Sequence, residues 1–243
     1  EKMKNPFLIF AACIAFTSVV AQPEGDKLGA WYMYFWNLNL NESQWGFQGD
    51  LQYRNWNLGG DMEQLMLRGG PTWRLKDKGA KFTLGAAFIR TEEYGSSIVG
   101  VEETRFYQEA LVPNNLLEGR LRLTHRFRYE QRLVDNQNFR TRYRYMLFAN
   151  ILFNAKSYEK GVWYLALYNE LFINGERGIG SGRRVEVFDR NRTYGAIGYT
   201  IKPNLRTQVG VMRQITNSWM KNQLQISLHH TINVKTASVE LPE

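Results

Sequence analysis

From Gln44 onward the chain alternates apolar and polar residues with a period of two, and it does so nearly to its end. Trp45, Phe47, Gly49, Leu51 and Tyr53 share one side of a stretch whose other side carries Gln44, Gly46, Gln48, Asp50, Gln52 and Arg54. Side chains two apart share a face only in an extended strand, so this pattern dictates β-structure with one greasy face. The arrangement recurs in Leu121, Leu123, Phe127 and Tyr129 against Arg120, Arg122, Thr124, Arg126, Arg128 and Glu130, and again in Tyr143 to Phe153 and Leu224 to Val234. No helical stripe of comparable length competes with it. Eleven candidate runs follow: 29–40, 44–56, 62–76, 80–92, 103–112, 117–132, 139–154, 161–173, 188–202, 205–216 and 220–234.

Lys76-Asp77-Lys78-Gly79, Pro113-Asn114-Asn115 and Lys202-Pro203-Asn204 carry turn chemistry, whereas 94–102, 133–138 and the Gly/Arg-rich 174–187 are longer connections. Short turns on one rim and long loops on the other describe an all-β, antiparallel, up-and-down transmembrane barrel with short periplasmic turns and longer extracellular loops. Its runs exceed the roughly 9–11 residues a tilted strand needs to cross a bilayer. Trp31, Tyr32, Trp36, Trp45, Trp56, Trp73, Trp163 and Tyr164 fall near run ends, the place of an interfacial aromatic girdle. Bacterial barrels of this kind have even strand numbers, so the range of 10–12 strands resolves to ten or twelve, with twelve preferred. The weakest runs are 29–40 and 103–112, and 174–187 could hide another strand.

A mean hydropathy of −0.43 excludes a bundle of transmembrane helices. Met3-Lys4-Asn5, the apolar Pro6 to Val20 and the small residues before Gln22 read as a secretory signal over 1–21. A lead-in at 22–28, a barrel at 29–234 and a tail at 235–243 complete the organisation. Cleavage would remove Lys2, Lys4 and Glu1 from a chain of 31 basic and 23 acidic residues, together with Cys13, the single cysteine. The product would carry 29 basic and 22 acidic residues and no thiol. One cysteine and three histidines argue against a metal centre, and no cofactor is expected.

Which face looks inward decides the function. A soluble lipocalin-like barrel would turn the apolar face to a ligand cavity and coat itself in arginine. The export signal, the run length and the terminal aromatics favour the opposite arrangement. Arg54, Arg120, Arg122, Arg126, Arg128, Glu130, Arg140, Arg142, Arg144, Glu170 and Arg192 then form an interior charge network. Guanidinium groups cannot sit dry and unpaired. Asp50, Glu109, Glu130 and Glu170 are the candidate acids, too few to neutralise the arginines. Either a salt-bridge ladder fills the barrel and holds its register, or a narrow pore with anion preference remains.

His125-Arg126-Phe127-Arg128-Tyr129-Glu130-Gln131-Arg132, Arg140-Thr141-Arg142-Tyr143-Arg144 and Asn169-Glu170-Leu171-Phe172 occur in that order. Together with Arg190-Asn191-Arg192 and Gln52-Tyr53-Arg54, they resemble a domain-of-unknown-function family of small envelope β-barrels. The resemblance covers 28–234. It implies an outer-membrane barrel with no settled activity, and it identifies no substrate or catalytic residue.

Catalytic constellations are sparse in the chain. Outer-membrane deacylases and phospholipases use Ser and His on one side of a strand, and the nearest approach is Ser227-Leu228-His229. A lipid-modifying hydrolase therefore stands as the alternative to a non-enzymatic barrel. His125 and His230 fall on the apolar face. The expected partners are the lipid bilayer with its lipopolysaccharide, other outer-membrane proteins and small anions, and no nucleic acid.

Overall fold

A computed structural model describes residues 28–40, 43–76, 79–95 and 100–234. The segments read as signal, as tail and as most of the lead-in lie outside these residues, as does Cys13. Thirteen strands occur among the described residues: β1 (Gly29–Leu40), β2 (Trp45–Asn55), β3 (Met62–Arg74), β4 (Lys81–Glu92), β5 (Gly100–Leu116), β6 (Leu121–Val134), β7 (Arg140–Leu152), β8 (Trp163–Asn174), β9 (Gly178–Gly180), β10 (Arg183–Arg184), β11 (Phe188–Lys202), β12 (Leu205–Ile215) and β13 (Met220–Val234). All but β9 and β10 form one closed barrel, and those two pair only with each other as a small hairpin.

The barrel has eleven strands, one for each of the eleven alternating runs, and the expectation of an even number is overturned. An odd count has a geometric consequence. If every neighbour runs antiparallel, the first and eleventh strands point the same way, so the closing pair must be parallel. β1 and β13 pair in that manner over twelve positions, from Gly29↔Gln223 to Leu40↔Val234. Parallel ladders use evenly spaced, slanted hydrogen bonds and need no special residue to close. The start of β1 and the end of β13 consequently lie at opposite rims. The 174–187 segment holds the β9–β10 hairpin and contributes no strand to the wall.

The turn expected at Pro113-Asn114-Asn115 is also corrected. These residues continue β5, opposite Thr124, Leu123 and Arg122 of β6. The ladder between β4 and β5 ends at Lys81↔Leu111, so β5 outruns its other neighbour and proline's missing N–H falls where no strand needs it. The reversal comes instead at Leu117, Glu118 and Gly119, all with positive φ. Arg120 donates its amide to Leu117 in that turn and is exposed, so it stands on the rim rather than inside.

Alternation carries the apolar face outward. Leu84 is 64% exposed, Trp45 58%, Leu67 57% and Phe127 51%, and Phe47, Phe106, Tyr143, Trp163, Val209 and Val211 join them around the circumference. Aromatic cross-strand pairs, among them Trp163 with Tyr199 at 4.8 Å and Tyr129 with Tyr143 at 5.1 Å, stud the same outer face. Two residues assigned to the girdle are inside instead: Trp31 and Tyr164 are both buried. Tyr164 lies over Gly198 across the β8–β11 register, where a Cβ would strike its ring, and Tyr107 covers Gly85 between β4 and β5 likewise. Glycine is used at these two sites to make room for an interior tyrosine.

Candidate functional site

The interior is divided. Trp31, Tyr164, Ala166, Tyr194, Ala196, Met212 and Leu152 form an apolar cluster on the β8–β11–β12 side. Arginine and carboxylate side chains from β2, β3, β5 to β8, β11 and β12 fill the remainder. Because inward residues are two apart, each sequence string delivers its charged members to a single face. Arg126, Arg128, Glu130 and Arg132 point in from β6, Arg140, Arg142 and Arg144 from β7, and Glu170 and Phe172 from β8.

Glu130 occupies the centre. It accepts from Arg142 Nη2 at 2.7 Å and Arg144 Nη1 at 2.5 Å, while Arg128 and Arg105 stand at 3.8 and 3.9 Å. Its register partners on either side are Tyr107 and Arg142. Glu170 accepts from Arg144 Nε at 2.8 Å and from Arg126 Nη2 at 2.5 Å. Glu109 accepts from Arg128 Nε at 2.7 Å and from Gln48 at 2.8 Å, and Asp50 takes Arg68 at 2.9 Å. Phe172 is enclosed by guanidinium groups, with Arg144, Arg192 and Arg142 at 4.4, 4.8 and 5.1 Å from its ring. Charge-assisted pairs between buried groups are strong, and each one that crosses from strand to strand restrains the two against sliding.

Several members of this ladder were not singled out from the sequence. Glu103 binds Arg105 and Arg132, the latter through Nε at 2.5 Å and Nη2 at 2.9 Å. Asp189 bridges Arg142 at 2.8 Å and Arg190 at 3.0 Å. Their signal was present as parity: Glu103 and Arg105 share the inward face of β5 with Glu109, and Arg68 shares that of β3 with Gln64. The run over 103–112 was simply among the least regular.

The sequence-derived residues do not all meet. Arg122 stands at the rim with the turn, bonding Gly119 and Lys156 carbonyls and resting 4.8 Å from the Tyr158 ring. Arg206 approaches the same ring at 4.0 Å, so the 153–162 connection drapes Tyr158 over that end. Arg54 and Arg192 are inside but bond only amides, Gln52 and Gln64 for the first and Gln214 for the second. Arg140 is buried, with Nε lacking a hydrogen-bond partner.

The central cavity has a volume of about 610 Å³. Twelve arginines line it, against five carboxylates, and Glu130 and Asp189 behind the lining raise the acids only to seven. No residue of 175–187 reaches it. That segment packs instead on 136–141, where Asn138 bonds Ile179, Arg183 bonds Asn136 and Glu176 bonds Thr141.

The family model described as "Protein of unknown function (DUF2490)" matches residues 28–225. The chain belongs to this family. The DUF2490 segment spans β1 to β12 and contains every member of the ladder, and it ends inside β13 before Ser227 and His229. Comparison with curated proteins and with solved structures gives no match.

Ser227 and His229 do meet, with Oγ 2.9 Å from Nε2. His229 stacks on Phe35 at 4.9 Å, and among the described residues no carboxylate bonds its ring. His125 and His230 lie outside, each against a tyrosine hydroxyl, Tyr145 and Tyr34 respectively. No cluster of metal-ligating side chains occurs among the described residues, and no helix there is long and apolar enough to cross a membrane, a test that does not bear on strands.

Proposed function

We propose that the protein is a non-enzymatic outer-membrane barrel whose salt-bridge ladder fills and stiffens it, leaving a narrow, anion-favouring interior. The supporting observation is the inversion of the two faces. Soluble monomers rarely expose contiguous apolar surface beyond a few hundred Å², yet here Leu, Phe, Trp and Val cover the outside of the wall while carboxylates and guanidinium groups are buried within. Lipid is the solvent that reverses the usual preference, and a closed barrel satisfies its backbone in lipid because it has no free edge. The wall strands, 11 to 17 residues long, suffice to cross.

The excess of positive charge inside supports anion preference, since buried like charges lower the energy of an incoming counter-ion. A rigid ladder across the middle supports small currents. Refolded protein in planar bilayers is expected to give small anion-biased steps or a closed barrel. Large cation-selective conductance would contradict the reading.

The Ser227–His229 contact favours hydrolysis as a second reading. Catalysis by such a pair needs a third group to orient the imidazole and stabilise its charged form. His229 has Phe35 stacked on it and Arg206 opposite it in the register, and among the described residues no carboxylate bonds its ring as that third group. Incubation with phospholipid and lipopolysaccharide is accordingly expected to release no fatty acid, and release abolished by Ser227→Ala would establish the second reading.

A further inference from the structure

Two of the cavity's arginines stand apart from the ladder. Arg54 enters from β2 and Arg192 from β11, three strands round the barrel from β1, and both come to rest on Trp31 of β1, at 3.8 and 4.9 Å from its ring. Neither has a carboxylate within 4.0 Å among the described residues. Glu170, opposite Arg192 in the β8–β11 register, is already engaged by Arg126 and Arg144. Both side chains are more than nine-tenths buried. Two guanidinium charges held on one indole repel one another, and Glu63, which lines the same cavity, accepts from Gln223 rather than pairing directly with either of them.

The surroundings point the same way. Trp31 Nε1 and Gln225 Nε2 are buried donors without a hydrogen-bond partner, and both residues line the cavity beside the arginines. Tyr168 donates to Gln225 Oε1 at 3.3 Å, which leaves the amide nitrogen as the end of that chain. Arg54, Trp31 and Gln225 are register neighbours across β2, β1 and β13, and Arg192 reaches the same indole from β11, so donor-bearing residues of four strands are gathered in one place. What would complete such a group is a compact acceptor carrying two negative charges. A carboxylate supplies one charge, whereas a phosphate monoester supplies about 1.5 to 2 at neutral pH and three strong acceptor oxygens. Arginine's planar fork suits phosphate oxygens in pairs. The stacked rings of Tyr168 and Tyr194, 4.7 Å apart, flank the cavity and offer an apolar wall to the organic part of an ester. A cavity of about 610 Å³ is of the size that holds small organic ligands.

We propose that Arg54 and Arg192, gathered on Trp31, form a binding site inside the barrel for the phosphoryl group of a small phosphomonoester. The site rests on the positive interior proposed above, but the two fail separately, because bilayers read permeation and calorimetry reads binding.

The test is titration of the refolded full chain, in detergent, with inorganic phosphate, with glycerol 3-phosphate and with phosphatidic acid, alongside melting curves in each. Binding and a raised melting temperature are expected with phosphate and with glycerol 3-phosphate. Binding of phosphatidic acid alone would assign the same phosphoryl site to a lipid headgroup. Arg54→Gln and Arg192→Gln should each weaken binding about tenfold or more, as loss of one charge-assisted contact does. Arg90→Gln, on the outer face with Glu92, should leave it unchanged. The variants also separate a ligand site from a structural one. In phosphate-free buffer Arg54→Gln should melt no lower than the parent, because it relieves repulsion, yet lose the increment that phosphate gives. A parent chain that binds none of the three probes, or variants that bind as tightly as the parent, would overturn the proposal, as would an Arg54→Gln variant that melts lower without phosphate and keeps the increment.

Discussion

Glu130→Gln is expected to be the most damaging single exchange in the barrel, costing about 3–5 kcal/mol, because it leaves buried guanidinium groups without their shared counter-charge. Four arginines look at this carboxylate: Arg142 and Arg144 in direct contact, with Arg105 and Arg128 just under 4 Å away. Glutamine keeps the volume and some hydrogen bonding, so the loss is electrostatic. Glu170 and Asp189 cannot compensate fully, since each already serves two arginines. The change is read as a lowered urea midpoint for the refolded barrel. Adding Arg142→Gln to Glu130→Gln should recover part of the loss, and the two residues should show strong coupling in a double-mutant cycle. The exposed pair of Glu118 with Lys156 supplies the contrast. Glu118→Gln should cost no more than about 1 kcal/mol, as surface pairs do. Equal effects at Glu130 and Glu118 would mean that the interior is fully hydrated and the ladder structurally idle.

The second large effect lies on the other face. Leu67 sits midway along β3, beside Leu51 and Phe88 in the adjoining strands. In a soluble protein an exposed leucine replaced by arginine changes stability within about 0.5 kcal/mol. Under the proposed membrane placement Leu67→Arg puts a charge near the middle of the hydrocarbon and should cost about 2–4 kcal/mol in lipid vesicles. Leu58→Arg, in the connection between β2 and β3, should cost far less, because the penalty declines toward the interface. Similar small losses at both positions would place water, not lipid, around the wall.

The success and the failures of the sequence reading have the same origin. Period-two alternation depends only on backbone geometry, so it located all eleven wall strands, and it delivers Arg126, Arg128, Glu130, Arg142, Arg144 and Glu170 to one face without knowledge of their neighbours. The even-strand expectation came from a generalisation about other barrels, whereas the parallel β1–β13 seam depends on a long-range pairing that no local pattern encodes. Pro113 looks like a turn because its ring forbids a hydrogen bond, yet that bond is unneeded where β5 outruns β4. Arg120 continues the alternation in sequence but closes the reversal at 117–119. Trp31 and Tyr164 show the limit most plainly. Aromatic residues near strand ends suit an outer girdle, but parity places both on the inner face, where one supports Arg54 and Arg192 and the other fills space above Gly198.

Acyl chains are expected to cover the apolar outside of the wall. Fractionation of cells that express the full chain, followed by a carbonate wash of the separated membranes, tests this directly. The protein is expected to stay with the outer-membrane fraction through the wash. Recovery of folded barrel from the aqueous supernatant would contradict the account.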